Sequence, residues 1–178
     1  MYPINIETKL VSDLKGEFYI PAYHRSYRWK EEVIRLLHDF QEIKKGDNYC
    51  LKPIIVRQHE DHLYELIDGQ QRITTLYILH KHIEKFLPMS QPKFSIDYQM
   101  KSRCFLESFD FNNANRQTTI ADEYFFLETT KTIINWFKEQ GDETQTAIDL
   151  WVKLSRNIHV IWYEVSQELD IKAKLYIL

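Results

Sequence analysis

Cysteine is nearly absent: Cys50 and Cys104 are the whole supply in 178 residues, and they stand far apart without a paired motif. That excludes a disulfide framework and a thiolate zinc site, and both are expected to be ordinary buried thiols. Long hydrophobic runs are missing too, so no membrane association is expected. The N-terminal stretch Met1-Tyr2-Pro3-Ile4-Asn5-Ile6-Glu7 has neither the basic nor the long apolar part of a signal peptide, and a soluble cytoplasmic protein is expected. The chain has no repeat, no low-complexity tract and no Walker loop, which needs Gly, four residues, then Gly-Lys-Ser/Thr. The histidines offer no metal cage. His59-Glu60-Asp61-His62 lacks the His-Glu-x-x-His spacing, and His80 and His82 point to different faces of one helix. No structural metal is expected.

What is present suits one globular domain: 44% of the residues are hydrophobic and 14% aromatic, enough for a sizeable core. The net charge of −3 is unevenly spread. Residues 15–57 hold nine Lys and Arg against six Asp and Glu, whereas residues 106–178 hold seven against twelve. The front half is therefore the side that suits an anion. A sequence pI of about 6.2 argues against a large footprint on duplex DNA.

Hydrophobic spacing predicts a strand over 17–21 ended by Pro21, a loop over 23–29, and a helix over 30–45 stopped at Gly46. Strands over 53–57 and 63–67 are expected to form a hairpin around 58–62, followed by a helix over 70–87 closed by Pro88. Further on, the pattern predicts a strand over 94–98, one or two helical turns over 103–109, and a loop over 112–119. Helices over 122–140 and 144–154, a buried strand over 159–165 and a helical start over 170–178 complete the expectation.

The junction between the second hairpin strand and the helix carries the chemistry. Asp68-Gly69-Gln70-Gln71-Arg72 places a glycine before the free N–H groups of a helix N-terminus. The helix dipole adds partial positive charge, and Arg72 supplies a forked donor suited to phosphate oxygens. Gln70 and Gln71 add neutral donors, and Thr74 and Thr75 follow in the next turn. Asp68 would repel a bare phosphate unless it meets a divalent cation or a ribose hydroxyl. The same residues also suit a purely structural turn, with Asp68 capping the helix and Arg72 solvated. A second cluster, Ile20 to Trp29, packs three aromatics and two arginines into the predicted loop, a mix that can stack a base and hold phosphates. Tyr23, Tyr27 and Trp29 suit core cover equally well, and Arg25 is the strongest functional candidate there. Glu65 is a candidate general base that strand alternation would turn away from the junction.

These residues carry a resemblance. Ile20-Pro21-x-Tyr23-x-Arg25-x-Tyr27-x-Trp29, then Pro53-Ile54-Ile55-Val56-Arg57, then Leu66 through Leu76 with Asp68-Gly69-Gln70-Gln71-Arg72 inside it, resemble the N-terminal domain of GmrS/GmrD-type modification-dependent restriction enzymes. The similarity continues through Tyr98-x-x-Lys101, Phe105-Leu106 and Val160 to Val165. The same order is similar to the nucleotide-binding fold of ParB and sulfiredoxin, whose Gly-x-x-Arg turn holds phosphate and here falls on Gly69 to Arg72. The resemblance implies an α/β (α+β) fold, a small mixed sheet with packed helices over 1–88 followed by a mainly helical extension over 89–178 with a return strand near 158–165. It also implies nucleoside triphosphate binding and hydrolysis, for which the charge of Asp68 suggests a Mg²⁺ ion beside it. Asp68 and Arg72 would then be catalytic and Asp68 the metal residue. Gly69, Gln70, Gln71, Arg72, Thr74, Thr75, Arg25 and Tyr23 would bind nucleotide. DNA would be met through the full-length protein, with cleavage in a separate C-terminal nuclease domain or subunit, and an oligomer is compatible. The sequence departs from the family at Lys101, where an arginine is usual, and a lysine is a point charge rather than a fork. It also stops at Leu178, before an Asn-containing helical segment and the nuclease, so a fragment is expected.

Overall fold

A computed structural model of the chain describes residues 5–98, 117–118 and 121–165. Among the described residues there are six strands and four helices. β1 (Asn5–Leu10) and a 3-10 turn (Val11–Asp13) lead to β2 (Lys15–Ile20), α1 (Glu31–Glu42), the hairpin of β3 (Tyr49–Glu60) and β4 (Leu63–Asp68), and α2 (Gln70–Ile83). A second 3-10 turn (Pro88–Ser90), β5 (Lys93–Tyr98), α3 (Ala121–Glu139), α4 (Glu143–Arg156) and β6 (Ile158–Val165) follow. The strands form one mixed sheet in the order β1-β6-β3-β4-β2-β5. The expected class, a mixed sheet with packed helices, is what the chain forms. The turns expected over 103–109, most of the loop expected over 112–119, the helical start over 170–178, and Lys101, Cys104, Phe105 and Leu106 lie outside the described residues.

The core lies between one face of the sheet and the helices. Alternation turns Phe18 and Ile20 of β2, Tyr64 and Leu66 of β4, Phe94 and Ile96 of β5, and Val160 and Trp162 of β6 inward, all of them buried. Phe18 meets Phe94 edge-on at 5.6 Å, which ties β2 to the edge strand β5. α2 packs on β3 and β5 and also against α3 and α4, so it is covered nearly all round and twelve of its fourteen residues are buried. No helix among the described residues is long and apolar enough to cross a membrane.

Structure and expectation differ in several places. β1 went unpredicted: its residues are mostly exposed, and pairing with β6, from Asn5↔Glu164 to Leu10↔His159, rather than an apolar face holds it extended. α1 ends at Glu42, because Ile43 turns back to extended geometry (φ −60°, ψ 120°) to reach the core, and Gly46 belongs to the following turn. α2 ends at Ile83 and not at Leu87, with separate turns before Pro88. β3 begins at Tyr49, four residues before Pro53, because its register against β6 shifts between Leu51 and Ile54 and a bulge there accommodates a residue with no N–H to donate. The same alternation that buries Leu51 leaves Cys50 exposed, contrary to the buried thiol expected.

Candidate functional site

Three stretches distant in sequence meet at the carboxyl ends of the parallel strands β2, β4 and β5. In sheets with parallel strands this is the edge at which ligands are bound. β4 ends at Asp68, Gly69 adopts φ 102° and ψ 8°, and α2 starts at Gln70. The left-handed backbone is one that glycine enters without a Cβ penalty. A Cβ at Gly69 would also lie 3.2 Å from the Cα of Ile54, so the turn is seated directly on β3. Gly69→Ala is expected to cost about 1–3 kcal/mol of stability from backbone strain and this close approach, measured by urea unfolding. An alanine variant as stable as the parent would show the turn to be unstrained.

The N-terminus of α2 is left open. α4 starts with Asp142, whose carboxylate accepts from the Gln145 N–H at 2.9 Å, but no such side chain caps α2 among the described residues. Asp68 therefore does not serve as the helix cap that a structural turn would use. Helix geometry leaves the N–H groups of Gln70, Gln71 and Arg72 without intrahelical acceptors, and Ile73 N–H is the first to find one, on Gly69 O at 2.9 Å. Arg72 folds back over the turn. Its Nη2 donates to the carbonyl of Pro53 and lies 3.2 Å from Asp68 Oδ2, while its buried Nε has no partner among the described residues. The bulge at Pro53 thus delivers the carbonyl that orients Arg72. The Asp68 carboxylate is 63% exposed and reachable from solvent.

The other expected site residues divide into two groups. Gln70 and Gln71 are buried, and Thr74 and Thr75 completely so. Thr74 Oγ1 meets the hydroxyl of Tyr98 at 2.5 Å, and Thr75 Oγ1 meets that of Tyr27 at 2.7 Å. Both threonines face the protein interior. Their hydroxyls are occupied in fixing α2 to β5 and to the loop after β2. Tyr27, with its ring fully buried, also reaches Thr129 on α3 at 3.0 Å, and burial pushes its hydroxyl up to about 12. Arg25 is exposed, as are Arg28 and Lys30, so the loop carries its cations outward and its aromatic Tyr27 inward. The Lys30 ammonium lies 5.3 Å from the ring of Phe125 and 5.8 Å from that of Tyr124 at the start of α3.

Tyr23 belongs to a different assembly. Pro21 cannot donate to a ladder, and pairing of β2 with β4 stops at Tyr19↔Glu65. The chain then turns over β4, where His24 Nε2 donates to the Leu66 carbonyl at 2.7 Å and the Tyr23 hydroxyl donates to Glu65 Oε1 at 3.1 Å. Burial and the Glu65 carboxylate hold the Tyr23 hydroxyl well above the ordinary phenol range. Glu65 also receives His59 Nε2 at 2.9 Å and Arg57 Nη1 at 3.4 Å. Sequence reasoning placed His59 on a bland turn and overlooked this hub. The signal was present in the hairpin register, since Arg57 stands directly opposite Glu65 on neighbouring strands. With three partners on its carboxylate, Glu65 is committed to holding the loop. Among the described residues no three His, Cys, Asp or Glu are grouped to hold a metal ion.

No curated protein matches the chain. A family model described as the GmrSD restriction endonuclease, N-terminal domain, matches residues 8–177. All three sequence stretches that converge on the Asp68–Arg72 turn lie inside that match, which spans nearly the whole sequence, and the chain belongs to the family of GmrSD restriction endonuclease N-terminal domains.

Proposed function

We propose that this domain binds and hydrolyses a nucleoside triphosphate at the Asp68–Arg72 turn, and that it regulates a DNA restriction enzyme acting in phage defence. The observation that carries the reading is the uncapped start of α2, entered through left-handed Gly69 and flanked by Arg72. Three N–H groups without intrahelical acceptors, the positive end of a fourteen-residue helix and a guanidinium meet there, a donor set that suits phosphate oxygens.

The donors at the turn fit Mg²⁺ as a phosphate-bridged ion rather than as a caged one. Mg²⁺ is commonly held by one or two carboxylates together with phosphate oxygens and waters, and Asp68 is the exposed carboxylate at the turn. When bound, the ion would neutralise charge developing on the transferred phosphoryl group. The protein's own share is positioning: the backbone amides of α2 and Arg72 hold the phosphates, Gly69 admits them, and Thr74 and Thr75 fix the helix from below. The exposed Arg25 extends the cationic rim, and Tyr23 is tied to Glu65 beside it.

The exposed run Arg25, Arg28 and Lys30 favours one alternative, a module that holds a nucleotide or a DNA phosphate without turning it over. Binding of labelled ATP, GTP, CTP and UTP in the presence of Mg²⁺, with phosphate release followed in parallel, decides between them. Binding with release supports the NTPase, and binding without release supports the module. A folded chain that binds none of the four overturns both readings of the turn.

A further inference from the structure

We propose that Gln71 is a positioning residue and not a phosphate ligand: it clamps the Ser26–Trp29 loop to the first turn of α2 and so presents Arg25 and Arg28 beside the turn. The inference rests on reading that turn as the nucleotide site, but the clamp itself is visible without a ligand. Gln71 is 8% exposed and its side-chain oxygen accepts from the backbone N–H groups of both Arg28, at 2.9 Å, and Trp29, at 3.2 Å. Its Nε2 donates to the Ser26 carbonyl at 3.3 Å. An amide oxygen has two lone pairs, and both are occupied by the loop. One turn further along α2, Thr75 holds the Tyr27 hydroxyl, and Thr129 of α3 reaches that hydroxyl and the Trp29 carbonyl at 3.5 Å.

Residues 26–29 have no regular secondary structure of their own. Their backbone groups would be unsatisfied without these side chains, so the path of the loop is set by α2 and α3. Gln71 is the part of this clamp that lies in the same helical turn as Arg72 and the open N–H groups. A shift of that turn on binding phosphate is passed through Gln71 to two exposed arginines, and the position of the loop feeds back on the turn by the same bonds.

The test uses Gln71→Glu and Gln71→Ala in the full chain. The glutamate keeps an acceptor for the Arg28 and Trp29 N–H groups but has no N–H to donate to the Ser26 carbonyl, whereas alanine loses all three bonds. Trypsin cleavage after Arg25 and Arg28, followed by mass spectrometry without nucleotide, should be about threefold faster than the parent for Gln71→Glu and about tenfold faster for Gln71→Ala. ATP affinity with Mg²⁺ should fall in both variants, through the loosened loop in Gln71→Ala and through added charge repulsion in Gln71→Glu. A residue that binds phosphate without holding the loop would leave cleavage unchanged in both variants while ATP binding weakens. That result overturns the proposal. A parent chain that binds no nucleotide overturns the site instead, while the cleavage order still reports whether Gln71 holds the loop.

Discussion

Arg72→Ala should weaken nucleotide binding by about a hundredfold or more and leave no measurable phosphate release. A guanidinium–phosphate contact is a charge-assisted hydrogen bond, and losing it costs about 3 kcal/mol. Both observed contacts of the Arg72 head group use Nη2, one to the Pro53 carbonyl and one to Asp68. Nη1 remains for a ligand while the head group is already oriented, so little side-chain entropy is lost on binding. Arg72→Lys separates charge from geometry. A lysine restores the positive charge but cannot span the Pro53 carbonyl and a phosphate together, and it should recover binding to within about tenfold of the parent with turnover still impaired. The alanine variant also removes the hydrogen bond to Pro53, so a stability loss of about 2 kcal/mol is expected and unfolding is measured alongside. A folded Arg72→Ala protein that binds and releases as the parent does would remove Arg72 from the site.

The position of this turn was legible because local signals agreed: an apolar strand, Asp-Gly, then an apolar helical period. What the turn does with its neighbours was not. Gln71 reaches residues more than forty positions away, and no local pattern distinguishes an amide that faces a ligand from one that faces a loop. Thr74 and Thr75 looked available because a helix with one broad apolar face should leave its other side to solvent. α3 and α4 cover that side, and the two hydroxyls found tyrosines. The Glu65 hub was hidden for a related reason. Register pairs Arg57 with Glu65, but the arrival of Tyr23 depends on where Pro21 releases the chain from β2. Pro53, read as the start of a strand, marks a bulge inside one, and only the fold shows that its carbonyl is what orients Arg72.

Acid should loosen the far end of the same helix. His80 and His82 are both buried on α2, and desolvation pulls each down to about 4, with Lys93 beside His80 and Lys85 beside His82 adding to the effect. The unfolded chain takes up these protons near pH 6.5, whereas the folded chain resists until about pH 4. The stability that neutral histidines allow is therefore fully present above pH 6.5 and lost as pH falls toward 4. The two-and-a-half-unit gap corresponds to about 3 kcal/mol for each histidine. The two are not equivalent. His80 Nδ1 donates to the Ser90 carbonyl at 3.1 Å, but neither nitrogen of His82 has a partner among the described residues, and its ring lies edge-on to Phe137 at 4.4 Å. His82→Phe keeps an aromatic ring against Phe86 and Phe137 and removes an unpaired polar group, so it should raise stability at pH 7 by about 1 kcal/mol and flatten the fall between pH 6.5 and 4.5. His80→Phe strips the Ser90 carbonyl of its donor and should lower stability at pH 7, although it too removes a titrating group. Urea midpoints for the three proteins at pH 7.0, 5.5 and 4.5 give the comparison. Parallel declines in parent and His82→Phe would mean that His82 finds a partner or solvent on protonation, and that the acid response of α2 comes from elsewhere.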